Sequence, residues 1–263
     1  MIQLNSARSK VARKRLLNKQ LSVLPPFVPI NDWQAYRINR TTASSVLHDL
    51  IELARRTTRY TIDTEHDDYT HEAALIQIEF IRRRSVILLI EMCHLPPTST
   101  VTFWLIKSLL AVILSPSNFI YSWGNGIDEL SQFVHYDLFS SSTIQRSNNI
   151  DVQVDFKLWY NKVFLHTCGL QPHEHDHSLC TCIHRPVKHR QDQWSLQKAI
   201  AYAFGEFLDK SRTKSKWRQQ LTHSDEFVRY AVSDSLAVTK LHMLIDGNWT
   251  KEQLDKYNHR QCF

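Results

Sequence analysis

The chain has 263 residues, 43% of them hydrophobic and 22% charged, a globular balance with length enough for one large core or two small ones; that excludes a disordered or fibrous protein. The formal net charge is +6, and the whole excess lies in residues 1–31, which carry six basic residues (Arg8, Lys10, Arg13, Lys14, Arg15, Lys19) and no acid. Such an arm suits a polyanion or a nuclear import receptor. The N-terminus is basic without a following apolar core, so no secretory signal is expected. The longest apolar stretch, Val101–Leu114, is broken by Lys107 and Ser108 and is too short to span a bilayer, so no membrane is expected. Five unevenly placed cysteines argue against a disulfide framework and for a reducing compartment, nuclear or cytoplasmic.

The arm closes at Pro25-Pro26 and Pro29, and residues 32–263 are expected to form one domain. Apolar residues from Val46 to Ala54 predict a helix over Thr41–Arg56, with Thr41 or Thr42 as N-cap. Strands are predicted at Thr58–Asp63, Ala73–Phe80 and Ser85–Ile90, and their tight connections predict an antiparallel meander. A helix over Thr98–Leu114 and a strand over Asn118–Ser122 follow, then a short helix from Ile127 to Phe133 and a fifth strand or its remnant at Ile150–Phe156. From Trp194 onward the pattern is mostly helical, interrupted at Gly205 and Gly247. This order suits an α/β layer fold with a mixed sheet.

Two short strings carry the chemistry. Asp63-Thr64-Glu65 ends the first strand, and alternation puts both carboxylates on one side of it. Tyr230 and Asp234, at i and i+4, share one helix face. Clustered carboxylates repel, and a divalent cation relieves the repulsion.

From about Thr41 to Leu244 the chain resembles the DEDD family of 3′–5′ exonucleases, in the variant whose third motif is Tyr-x-x-x-Asp, and within it the ribonuclease D and Werner-type branch. Asp63 and Glu65 match the first motif and Tyr230 and Asp234 the third, with Trp194-Ser-Leu-Gln, Phe207-Leu-Asp-Lys210-Ser and Trp217 resembling the segment before it. The resemblance implies a ribonuclease H-like sheet with helices on both faces. It also implies a fourth carboxylate on the helix after the fourth strand. Asp128 is the expected one and Glu129 the alternative, because Asn125 lies three residues before the first and four before the second, the family's own spacing. Asp63, Glu65, Asp128 and Asp234 would then hold two Mg²⁺ or Mn²⁺ ions for hydrolysis of a terminal phosphodiester, and Tyr230 would orient or help deprotonate the attacking water.

Lys210, Arg212 and Lys214, with Lys216, form a basic cluster before the third motif, and Lys210 matches a lysine common in the family; the cluster is read as a phosphate contact. The expected partner is nucleic acid with a free 3′ end, single-stranded or frayed. Arg82, Arg83 and Arg84 are read as a solvated turn, and Trp217 as either core or a stacking platform. Leu165–His189 holds three of the five cysteines and six of the fourteen histidines where the family has a short connection, and so looks like an insertion. Thiolate and imidazole together suit a structural Zn²⁺, with Cys168, Cys180 and Cys182 as ligands and His184 as the fourth. The competing readings are a His-rich surface loop and, for the whole chain, a catalytically inactive relative that binds nucleic acid or protein.

Overall fold

The computed structural model describes residues 2–165, 167–168, 180–187, 192–213, 215–221 and 225–261; the side chains of 2–11 and 259–261 lie outside that description. The chain divides into two compact units, residues 29–152 with 212–240, and residues 1–28 with 153–211 and 241–263.

The first unit holds the sheet. Its elements are β1 (Asp32–Ile38), α2 (Ser44–Arg55), β2 (Arg59–His66), β3 (Ala73–Phe80), β4 (Arg84–Glu91), α3 (Val101–Ile113), β5 (Phe119–Ser122), α4 (Gly126–Ser131), α5 (Ser141–Arg146) and β6 (Asn148–Asp151). The strand order is β1-β4-β3-β2-β5-β6; β2, β3 and β4 form the expected antiparallel meander, and β5 and β6 add parallel to β2. The result is a mixed α/β sheet of ribonuclease H-like arrangement.

Tyr60, Ile62, Ile76, Ile78, Phe80, Leu88 and Ile90 share one cluster with Leu47, Leu50 and Ile51 of α2 and Phe103, Ile106, Leu109 and Leu110 of α3. Both ends of α3 are tied. The Thr100 hydroxyl accepts from Phe103 N, and Asn118 Nδ2 donates to the orphan carbonyls of Val112 and Ile113. The opposite face of the sheet is covered by the first part of α8 (Asp225–Asp246).

Three local readings change. β1 was not anticipated, because only Ile38 of its seven residues is buried and an exposed strand has little apolar alternation to show. Residues expected to continue a strand to Phe156 instead stop at Asp151, and a helix begins at Val152; Val152, Phe156, Trp159 and Tyr160 have the 3.6 spacing of a buried helical face. The N-cap of α2 is Ala43 without a side-chain bond, while the Thr42 hydroxyl accepts from Asn39 N instead.

The second unit is helical: α1 (Ile2–Leu21), α6 (Val152–Val163), α7 (Leu196–Phe204), the end of α8 and α9 (Lys251–Gln261). Phe156, Tyr160 and Trp194 pack ring on ring at its centre. The Asn18 side-chain oxygen of α1 accepts from Gln197 Nε2 and Lys210 N, so the end of the basic arm is part of this unit. Gly205 ends α7 in the left-handed conformation (φ 65°), where glycine carries no Cβ penalty. Among the described residues no helix is long and apolar enough to cross a membrane.

Candidate active site

β2 positions the first two acids. Because its side chains alternate, Tyr60 and Ile62 enter the apolar core while Thr61, Asp63 and Glu65 line the other face. On that face α8 docks through hydroxyls. Thr239 Oγ1 donates to Glu79 Oε2 at 2.5 Å and lies 2.7 Å from Thr61 Oγ1, and Ser235 Oγ donates to Gln77 Oε1 at 3.4 Å. This docking brings Tyr230 and Asp234, one turn apart on α8, over the end of β2.

Asp63, Glu65 and Asp234 thereby form one group, each offering an oxygen within 4.8 Å of the others'. Asp234 is 0% exposed, Glu65 7%, and Asp63 half-buried. Three carboxylates this close and this desolvated destabilise one another unless cations or protons lie among them. Hard oxygen donors of this kind fit Mg²⁺ or Mn²⁺.

Tyr230 stands beside the group. Its ring packs on Trp217, with centroids 5.6 Å apart, and its hydroxyl is 2.7 Å from Thr213 Oγ1. Burial, and then the charges of Asp234, Glu65 and Asp63, push its pKa far above the ordinary phenol value, so it stands as a protonated O–H donor. Thr213 was not anticipated, since a lone Thr in a Ser/Lys-rich loop carries no pattern. Trp217 is 3% exposed and set edge-on to Phe227, which makes it core.

The structure does not bring Asp128 or Glu129 into the three-carboxylate group. Both lie on α4, which packs against β2 and β6. Asp128 is exposed and its Oδ2 accepts from Asn125 Nδ2 at 2.7 Å, while Glu129 is half-buried. The approach to α4 depends on glycine twice. Gly124 has φ 106°, and a Cβ on Gly126 would lie 2.8 Å from Ser122 Oγ.

Of the expected phosphate contacts, Lys210 is half-buried, Arg212 is paired with Glu226 and stacked over Phe227, and Lys214 lies outside the described residues.

In the helical unit a second group forms from Cys168, Cys180 and Cys182, whose sulfurs all lie within 4.8 Å of one another. Cys168 Sγ and Cys180 Sγ are 3.8 Å apart and neither forms a disulfide. A tetrahedral ion with metal–sulfur bonds near 2.3 Å sets its sulfurs about 3.8 Å apart, so the spacing fits zinc. Two bonds from Thr167, from its hydroxyl and its N–H, lower the Cys182 pKa to about 5, while burial raises that of Cys180. His184 does not join the sulfurs; its Nε2 lies 2.9 Å from the Leu165 carbonyl. The segment is anchored to α6 by buried Arg185, which donates to Phe164 O and Asn161 Oδ1, and by Tyr160 Oη donating to His184 O. His166, His173, His175, His177 and His189 lie outside the described residues.

No protein-family model matches the sequence, and no curated protein matches it by sequence. Solved structures do match by shape. The Aedes aegypti Nibbler EXO domain superposes at a TM-score of 0.54 with 13% identity, covering 86% of this chain and 94% of that one. Trypanosoma brucei RNase D superposes at 0.53 with 12% identity, covering 86% and 67%. The catalytic core of RRP6 from Trypanosoma brucei superposes at 0.51 with 15% identity, covering 89% of this chain and 54% of that one, so this chain spans about half its length. The resemblance read from the motifs therefore holds at the level of the fold, that of the ribonuclease D-type exonucleases.

Proposed function

We propose that this chain is a metal-dependent 3′–5′ exonuclease acting on single-stranded or frayed 3′ ends of nucleic acid. The observation that carries the reading is the group of Asp63, Glu65 and Asp234 with the protonated Tyr230 phenol beside it. These three acids, with Asp128 as the fourth, would hold two Mg²⁺ or Mn²⁺ ions. When bound, such ions supply Lewis-acid stabilisation to the attacking and leaving oxygens of a phosphoryl displacement. Tyr230 would donate its O–H hydrogen bond to the attacking water and orient it, held in place by Thr213 and Trp217. Lys210 and Lys214 would contact phosphates of the strand; Arg212 would have to exchange Glu226 for a phosphate. Residues 32–263 would make up the nuclease domain and the basic arm 1–31 would add affinity for the polyanion. A labelled oligonucleotide with a free 3′ end should lose mononucleotides only when Mg²⁺ or Mn²⁺ is added. Equal digestion of 3′-blocked and free strands would end the exonuclease reading.

One observation favours a second reading, an inactive relative that binds nucleic acid or protein: Asp128 and Glu129 stand outside the carboxylate group and Asp128 is bound to Asn125. Side-by-side Asp128→Ala and Glu129→Ala variants separate the two. Loss of turnover in Asp128→Ala alone supports the four-acid site in the proposed register, and loss in Glu129→Ala alone moves the register by one. Wild-type protein that binds strands but releases no nucleotide supports the inactive relative.

Cys168, Cys180 and Cys182 would hold one structural Zn²⁺, with a histidine of the same segment as fourth ligand. The sulfur spacing carries this part. Purified protein should contain close to one equivalent of zinc, retained in variants of the carboxylate site. Less than about a tenth of an equivalent would leave only three neighbouring thiols.

A further inference from the structure

The arginines of the β3–β4 turn are not merely a solvated hairpin. Arg82, Arg83 and Arg84 meet Arg56 from the end of α2 and Arg59 from the start of β2, and together with Thr57, Thr58 and Ile81 they line a groove of about 520 Å³. Two separate segments, residues 56–59 and 81–84, thus bring five arginines to one concavity, and no acid lines it. Asp32, in register with Arg84 on β1, is not among the lining residues, and Glu52 is paired with Arg55 outside it.

Two ordinary explanations for such arginines are already used up. Cationic side chains gather at helix C-termini to satisfy exposed carbonyls and the negative end of the dipole. Here Arg82 donates to Arg56 O and to Thr57 Oγ1 at 2.9 Å, and Arg55 already lies in the last turn of α2. Tyr60 Oη, from beneath, lies 2.8 Å from both Ala54 O and Thr57 O, and this phenol is itself desolvated and pushed above its ordinary pKa. The second explanation is internal ion pairing. Among the described residues no salt bridge engages Arg56, Arg83 or Arg84, and all three are exposed. The floor of the groove is therefore fixed by hydrogen bonds, while its rim is mutually repulsive positive charge that an anion would relieve.

We propose that this groove is a second nucleic-acid contact, an exosite for the phosphate backbone. Arginine is the side chain suited to it, since its planar fork meets phosphate oxygens in pairs. The groove opens at the start of β2, whereas Asp63 and Glu65 lie four and six residues further along the same strand, roughly 13 to 20 Å away at the strand's rise. The contact is thus separate from the carboxylate group and holds phosphates that are not being cleaved. The choice of nucleic acid among polyanions rests on the nuclease reading.

The test is equilibrium binding of a fluorescent single-stranded oligonucleotide of about 20 nucleotides, measured in EDTA so that no turnover occurs. The triple variant Arg56→Gln/Arg83→Gln/Arg84→Gln should bind on the order of 10-fold or more weakly near 0.1 M salt. Its log K against log salt should be shallower by about 2, the release expected from three phosphate contacts on a single strand. The corresponding triple lysine variant should keep most of the slope. Release from a dinucleotide, too short to engage both places, should be unchanged in the glutamine variant if the wild type cleaves it. If the triple variant melts without cooperativity, Arg83→Gln alone should still lower the slope by about 0.7. Wild-type affinity and slope in these variants would overturn the exosite, as would tighter binding to phosphatidylserine vesicles than to the oligonucleotide. A wild type that binds strands without cleaving them would sink the nuclease reading and leave the exosite standing.

Discussion

The two faces of the central sheet are made by the same strands and follow opposite rules. Toward α2 and α3, β2, β3 and β4 present Tyr60, Ile62, Ile76, Ile78, Phe80, Leu88 and Ile90. Toward α8, β2 and β3 present Thr61, Asp63, Glu65, Gln77 and Glu79, of which all but Asp63 are buried. Burial of each large apolar side chain on the first face contributes about 1.5–3 kcal/mol. On the second face each polar group costs free energy unless it is answered, and α8 supplies the answers with Ser235 and Thr239. One face stabilises the unit, and the other is stabilised by it and is left with an excess of carboxylate. The comparison teaches where the chemistry can be cut without unfolding the protein, and where it cannot.

The sharpest way to break the comparison is Asp234→Asn. We expect turnover to be abolished, as in Asp63→Ala, because a metal ligand is gone. The metal-free protein should nonetheless melt higher, since a 0%-exposed carboxyl within 4.8 Å of two others is replaced by a neutral amide. Each kcal/mol gained should raise the midpoint by about 2–4 °C in a chain of this size. A lower midpoint would show that Asp234 is answered by other groups and that its face is not strained.

Phe80→Ala is the converse. It lies at 0% exposure on the apolar face, edge-on to Tyr60 with ring centroids 5.1 Å apart. Denaturant unfolding should show a loss of about 3–5 kcal/mol, while turnover per folded molecule stays at the wild-type value. A matching drop in turnover would mean the two faces are not separable.

Tyr230→Phe keeps the ring against Trp217 and removes only the O–H. Turnover should fall on the order of 10²-fold, with metal affinity unchanged. Wild-type rates would return Tyr230 to the role of a packing residue.

Glu79→Gln probes the polar face through stability alone. Burial pushes the Glu79 pKa from 4.5 up to about 7, with the Ser85 and Thr239 hydroxyls opposing the rise. The folded state therefore favours the protonated form. The stability this gives is complete below about pH 4.5 and is lost as pH rises through 7. At pH 8 the glutamine variant should be more stable on the order of 2 kcal/mol, and the difference should shrink as the pH falls to 5. A constant difference across that range would show that Glu79 does not titrate there.

Much of this was legible along the chain. The meander of β2, β3 and β4 follows from three β-prone runs with short connections, and α3 from one long apolar run. The pairing of Asp63 with Glu65, and of Tyr230 with Asp234, follows from the two periodicities of backbone structure. β1 escaped because an exposed strand gains its place from hydrogen bonds to β4 rather than from a buried face. The arginine groove escaped because Arg56 and Arg83 are 27 positions apart and each looks, in its own neighbourhood, like a helix end or a turn.

By itself the sequence determined most of the elements, though not β1 or the start of α6, and it determined which residues share a face and that acids and thiols occur in sets able to hold ions. Local spacing decides those things, because strand and helix periods act over a few residues. Only the tertiary structure decided that Asp234 meets Asp63 and Glu65 within 4.8 Å, that Cys168 meets Cys180 and Cys182, and that Asp128 and Glu129 stand apart. The carboxylate outcomes depend on how α8 and α4 dock, and the thiol one on how the segment around Arg185 is tied to α6; such packing is a sum over many weak contacts, which no short string of residues encodes.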